Sequence, residues 1–444
     1  MTTSSWRGKG KTGRKTGIRH ARDLKSSVFK RRALASAVRL AFAVSAGTFV
    51  FSPTDAAAQQ LNNCPNITTN DSVPANGNLN AVLCSIDAPG SLTIDNNGIL
   101  TNFINTSTGT LNNNNILLNN GIVLNVGALT NALTGKLTNN HNINNTGTLS
   151  NAGILTNNGG LTNFATGTLI NDGMLINNYG AQVFSYGVLK GTGKFNNSGA
   201  LAVGSGGNVA IAFSDNLSAG GTLSGGIWTV SAALGIVSTL SVGSGAIAAL
   251  GANTIVSLNG ADSKFAHIEG LTSNAGYFAI TNGRNLTLLA PNFANSGALN
   301  LGSYGASTTV SVQAGNTLAN IGNVSVGAVG TLSNAGTLNN SGTLYAADGG
   351  LIRNEASGTL NNTYRVFNRG SLLNAGTLNN NSGGPQAFLY NSIGGSLTNT
   401  GVLNNNSGAQ LINQGTISNS GIFNNNSGAI LRNGNLFNPA KTFC

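Results

Sequence analysis

Residues 395–414 read GSLTNTGVLNNNSGAQLINQ and residues 415–434 read GTISNSGIFNNNSGAILRNG, identical at 11 of 20 positions. Two consecutive copies set a period of 20, and a fixed period of this length marks an architecture of stacked repeats. Within each copy the apolar positions are few and fixed: Leu397, Leu403 and Leu411, then Ile417, Phe423 and Leu431. Their spacing of 6, 8 and again 6 residues misses the i, i+3, i+4, i+7 pattern of a helix. Gly and Asn at this density would also make a helix costly. Short strands punctuated by Gly and Asn, which accept the left-handed backbone of tight corners, meet both constraints. The sequence therefore predicts an all-β fold, a parallel β-helix (β-solenoid) with ~20-residue coils of three strands each.

The same period runs through the N-terminal part. Gly127, Gly147, Gly167 and Gly187 lie 20 apart, as do Gly153, Gly173 and Gly193. The unit at 370–394 has 25 residues, as if a short loop entered near Gly384-Pro385; stacked coils tolerate such insertions at a corner. With coils ~4.8 Å apart, equal repeat positions lie over one another. Asn399 then stacks on Asn419 and Asn413 on Asn433, and side-chain amides can form structural ladders as in cross-β stacks. A charge in the same column would meet its own kind in every coil. This accounts for a chain with 70 Asn and 62 Gly but only 7% charged residues. From Gly204 to about Gly330 Asn thins out and Gly, Ala, Ser and Val dominate, as in TVSAALGIVSTLSV; this reads as a less regular continuation, with a separate β-sandwich as the alternative.

The formal net charge of +11 is local, since 12 of the 22 Lys and Arg precede residue 40. After them come an uncharged stretch, Leu40 to Phe51, and a small-residue site ending in Ala56-Ala57-Ala58. This is the pattern of an extended signal peptide, too short for a membrane span, with cleavage expected between Ala58 and Gln59. Residues 59–444 keep ten basic and nine acidic side chains, so a nucleic-acid partner is not expected. Export also places the cysteines in an oxidising compartment. Cys64 and Cys84 are expected to form a disulfide stapling an N-terminal cap, whereas Cys444 has no evident partner. The expected organisation is a leader at 1–58, a cap at 59–90, regular repeats at 91–203, the less regular section at 204–329, regular repeats at 330–438 and a tail at 439–444.

The repeated G-T-L-x-N-x-G-x-L-x-N units resemble the passenger regions of Gram-negative autotransporter and haemagglutinin-like adhesins. The central GGIWTVSAALG, TIVSLNGADSKF and NAGYFAITNGRNLTL segments are similar to the β-strand repeats of the same large secreted proteins. The resemblance implies export by a type V-like route to the cell surface, a β-helical stalk, and adhesion or aggregation. It departs from the family in lacking the ~10-residue alternating strands of a membrane barrel and any Asn-Pro-Asn motif, so the expectation is an outer-membrane translocator encoded elsewhere or missing.

Chemistry-bearing residues are sparse. A β-helical polysaccharide-degrading enzyme would need clustered carboxylates with a cation, and the cluster that exists is Asp262, Lys264, His267 and Glu269. On a strand the first two would share one face and the last two the other, so a joint site requires a bend. Arg353, Arg365 and Arg369, with Tyr364 and Phe367 between them, form a second concentration that suits either a small carbohydrate or protein contact or a break in the repeat. Calcium-binding Gly-Asp repeats and zinc-type His/Cys clusters are absent from the sequence. The flat Thr-x-Thr ranks of ice-binding solenoids are not expected, because Thr here follows Gly in what read as G-T-L corners. The expected protein is a non-enzymatic, cofactor-free, secreted or surface-exposed adhesin-like solenoid. Its expected partners are host or neighbouring-cell surface glycans or proteins and other copies of itself; a purely structural spacer is the remaining alternative.

Overall fold

The computed structural model describes residues 109–382 and 387–434, preceded by the strands Asn70–Val73, Asn78–Asn80, Leu83–Ile86, Ser91–Ile94 and Ile99–Asn102. The expected leader, the cleavage point Ala58–Gln59, Cys64 and the tail at 439–444 lie outside the described residues. Of Cys84 only the backbone is described, so the expected disulfide is outside them as well.

Fifty short strands and one 3-10 turn, Ile268–Gly270, make up the regular structure among the described residues. Except at the ends of a sheet, each strand pairs in parallel with the strand one coil before and one coil after. Thr148–Asn151, for example, lies between Ala128–Asn131 and Thr168–Asn171, each partner displaced by 20 residues. The result is an all-β parallel β-solenoid of about 16 turns. At 20 residues per coil, residues 59–444 lead one to expect about 19. The difference arises partly because middle coils are longer: Ile227 stacks on Ile255 and Asn208 on Thr239.

Three faces result. The second runs unbroken as seventeen strands from Asn78–Asn80 to Ile430–Asn433. Its end strands belong to opposite ends of the stack, so it is an open ladder and does not close on itself. The first face is a seven-stranded sheet ending at Lys194–Asn197, then a ten-stranded sheet beginning at Thr222–Leu223. The third is nine-stranded to Ser263–Phe265 and seven-stranded from Leu286–Leu288. Residues 204–329 contain both changes of face, while the second face passes through them without a gap.

Strand alternation explains the interior. In the regular coils the second and fourth residues of a strand point inward, so Leu149 and Asn151 are both buried while Thr148 and Ser150 face out. The Leu side chains, including Leu397, Leu403 and Leu411, fill the centre of each coil in one continuous core. Each contributes about 1.5–3 kcal/mol of burial. In the wide middle coils larger side chains occupy the centre: Phe195, Trp228, Phe265, Phe278 and Phe293 are fully buried, and Phe195 meets Trp228 edge-on at 6.1 Å.

The regular Gly columns have a cause other than the one the turn reading supplies. Gly147 and Gly173 do not have positive φ. A Cβ on Gly147 would stand 2.1 Å from the Gly127 carbonyl oxygen, and one on Gly173 2.1 Å from that of Gly153. Close approach of one coil to the next, not backbone handedness, selects glycine there. Positive φ is instead found at glycines such as Gly408 and Gly428, in the four-residue corners of the regular coils.

Candidate functional site

Three features of the solenoid bear on binding: amides at the corners, side chains on the outer faces, and a cleft where the third face changes.

The fourth residue of a strand meets a corner, and an Asn there can satisfy two coils at once. Asn145 accepts from Asn125 Nδ2 at 2.6 Å and donates to Asn163 Oδ1 at 2.7 Å and to the Thr168 carbonyl at 3.1 Å. The longest such column, Asn274, Asn295, Asn320, Asn340, Asn362, Asn380, Asn405 and Asn425, runs along the first face with links of 2.7–2.9 Å. Asn399 donates to Asn419 at 2.6 Å, and Asn413 to Asn433 at 2.7 Å. Among the described residues these buried Asn–Asn links donate toward the C-terminal coil. The columns that begin at Asn334 and Asn368 follow Val312 and Ala346, which carry no donor. Among the described residues the Oδ1 atoms of Asn334 and Asn368 accordingly have no partner.

Exposed Asn columns run the other way. Asn140 donates back to Asn120, Asn158 to Asn140 and Asn178 to Asn158. On the first face Asn361, Asn379, Asn404 and Asn424 each donate to the preceding coil at 2.8–2.9 Å, beginning from Asn339. Beside them stand Thr337, Thr359 and Thr377 in register. These threonines are the first residues of strands and point outward, so the reading that placed the Thr of G-T-L in corners is corrected.

The second face carries aromatics toward its C-terminal end. Tyr345, Phe367 and Tyr390 stack in one column, with Arg365 and Phe388 in the next. Phe367 packs edge-to-face on Phe388 at 5.1 Å and on Tyr390 at 6.0 Å. The Arg365 guanidinium lies 4.6 Å from the Tyr364 ring and 5.6 Å from Phe388, within cation–π range. The Tyr390 hydroxyl donates to Gln414 Oε1. All these outward residues are half-buried by one another. The three arginines grouped in the sequence are dispersed: Arg353 faces outward on the third face and pairs with Glu355, and Arg369 pairs with Asp348, each at 3.0 Å. Only Arg365 belongs to the aromatic platform.

The cleft, about 390 Å³, opens where the third face stops at Ser263–Phe265. Lys264, Glu269 and Arg284 line it. The 3-10 turn at Ile268–Gly270 supplies the bend that a shared site needs, bringing Glu269 to the side of Lys264. Asp262 does not join them; its Oδ2 accepts the Gly235 N–H at 2.8 Å. Arg284, absent from the sequence cluster, binds Glu269 at 3.0 Å across 15 residues. No local pattern signals it, because the turn Asn282-Gly283-Arg284 reaches the cleft only through the face change. The described residues contain no group of three or more His, Cys, Asp or Glu placed to hold a metal ion, and no helix among them is long and apolar enough to cross a membrane.

The fold and these surfaces define a β-solenoid with repetitive outer faces. No family model matches the chain, and no curated protein matches it. Among solved structures it is similar to a TibC-catalysed, hyper-glycosylated TibA fragment, at 15% identity and a TM-score of 0.17, over 83% of this chain and 92% of that one.

Proposed function

We propose that the protein is a secreted or surface-exposed, adhesin-like β-solenoid that mediates cell adhesion or aggregation without catalysis. The observation that carries this reading is the in-register repetition of outward groups on two faces. The Asn column from Asn339 to Asn424 offers equivalent amides. The aromatic column from Tyr345 to Tyr390 adds flat rings beside Arg365. Amides and hydroxyls hydrogen-bond to sugar hydroxyls and peptide groups, and ring faces accept the C–H face of a saccharide. Each contact is weak, and affinity comes from engaging several coils at once. The partners are glycans or proteins on host or neighbouring cells, and other copies of the chain.

Attachment and clumping of cells with and without the gene test the proposal. A chain carrying Phe367→Ser and Tyr390→Ser is expected to lower attachment several-fold while keeping its β-sheet circular dichroism. Unchanged attachment and clumping on gene deletion would sink the reading.

A further inference from the structure

We propose that the cleft at the change of the third face is a binding site for a carboxylate-bearing saccharide, of the uronic or sialic acid class. Its volume of about 390 Å³ falls within the range of small-ligand sites. Its lining is unlike the rest of this charge-poor chain, with Lys264 and Arg284 facing a single carboxylate, Glu269, so the cleft carries an excess cation. The other ion pairs lie at the surface, whereas the Arg284 side chain is only 15% exposed.

Its hydrogen bonds are incomplete. Nη1 donates to the Asn285 carbonyl at 2.8 Å and Nη2 to Glu269 Oε1 at 3.0 Å. Nε is buried with no hydrogen-bond partner among the described residues, an uncommon state for a buried donor. Nε and Nη2 form one side of the guanidinium fork, which a carboxylate takes with both oxygens, and Glu269 fills half of it. A ligand carboxylate completes the fork as Glu269, 42% exposed, turns toward Lys264. The hydroxyls of Thr239 and Ser241 lie on the adjoining wall. The Thr239 hydroxyl spends its proton on Asn208 Oδ1 at 2.7 Å, which leaves its lone pairs for a sugar O–H.

The backbone supports the same assignment. Among the described residues the non-glycine positions with positive φ are His267 at 65° and Asn282 at 56°. Each stands two residues before a member of the pair, Glu269 or Arg284. Such strain persists where surroundings enforce it, and it gathers at ligand clamps.

The saccharide part of this inference rests on the surface-exposed reading above; the anion part does not. The test is titration of the purified full chain by calorimetry with glucuronate, N-acetylneuraminate, glucose and inorganic sulfate. At least one sugar acid is expected to bind tenfold or more tighter than glucose and sulfate, and to weaken as salt rises. Arg284→Gln is expected to weaken that binding tenfold or more. Lys264→Met, at an exposed position, is expected to weaken it about threefold with the unfolding midpoint unchanged. Equal binding of sugar acids and glucose, or full binding by both variants, overturns the site. Sulfate binding as tightly as the sugar acids overturns the saccharide class. Attachment that depends on the gene without sugar-acid binding sinks this cleft alone, while sugar-acid binding with gene-independent attachment sinks only the adhesion reading.

Discussion

An asparagine at the end of a strand does in this protein what a charged side chain or a leucine cannot. Asn145 is fully buried, yet both ends of its amide are engaged, one with the coil before and one with the coil after. Replacing it with Leu keeps the branching of the side chain but removes the donor to Asn163 Oδ1 and one of the two acceptors of the Asn125 amide, which keeps the Thr148 carbonyl. Asn145→Leu is expected to cost about 1–3 kcal/mol for buried groups left unpaired, read as a lower denaturation midpoint. The exposed Asn140, whose neighbours can turn to water, is expected to tolerate Ala within about 0.5 kcal/mol. A carboxylate appears among these columns only in the open. Asp172 receives the Thr192 backbone N–H at 2.8 Å and its hydroxyl at 3.0 Å. The backbone bond first, and the hydroxyl second, hold its carboxyl below the ordinary range. Because the folded form is the more acidic, its stabilising effect is complete above the ordinary carboxylate range and is lost as pH falls through the lowered value. Thr192→Val deletes the hydroxyl donor but keeps the N–H. An NMR titration of the Asp172 carboxyl is expected to move partway up; no movement would mean that the hydroxyl bond contributes nothing.

At the scale of strands and corners, the decisive constraint is how closely successive coils approach. Gly147 sits with no room for a Cβ against the Gly127 carbonyl oxygen, and the obstructing atom is backbone, which cannot swing aside. Gly147→Ala is therefore expected to destabilise by about 1–3 kcal/mol, the range for overpacking. At Gly180, where nothing lies within 4 Å and φ is +84°, the strain of Ala is purely conformational. A guanidinium chloride series comparing the two separates the causes. This is also where sequence reading is strongest and weakest. Leu397, Leu403 and Leu411 declare the buried positions because the interior demands the same residue in every coil. The reason for each Gly is hidden, because φ and close approach both select glycine and the letter does not distinguish them. The end of the first face at Lys194–Asn197 is similarly hidden. There the side chain of Asn216 bonds both the N–H and the carbonyl of Asn197, at 2.7 and 2.8 Å, and stands in for a strand. A side chain acting as backbone leaves no periodic trace.

For the molecule as a whole, what repeats is legible in the sequence and what breaks the repeat is not. The cleft joins Glu269 to Arg284, and the aromatic platform gathers Tyr345, Phe367 and Tyr390 from three coils; the first depends on a lost register, the second on knowing which strands share a face. The repeat itself makes a stringent prediction. Interactions in a solenoid are between neighbours, so stability is close to a sum over coils. Deleting residues 395–414 brings Thr416–Asn419 to the place that Ser396–Asn399 holds on Ser371–Asn374, in the same register and with Asn419 in the ladder position of Asn399. That variant is expected to keep its circular dichroism per residue and a single cooperative transition, with a loss limited to about one coil's share of the stability. Deleting only residues 395–404 instead sends the chain from Phe388–Asn391, on the second face, directly to Gln410–Asn413, another second-face strand. One third-face and one first-face strand are then missing, and the coils beyond the cut have no matching faces beneath them. Amide exchange is expected to remain slow across residues 109–382 in both variants, and to become fast after residue 404 only in the shorter deletion. Equal protection in the two would show that the coils do not depend on whole-turn register.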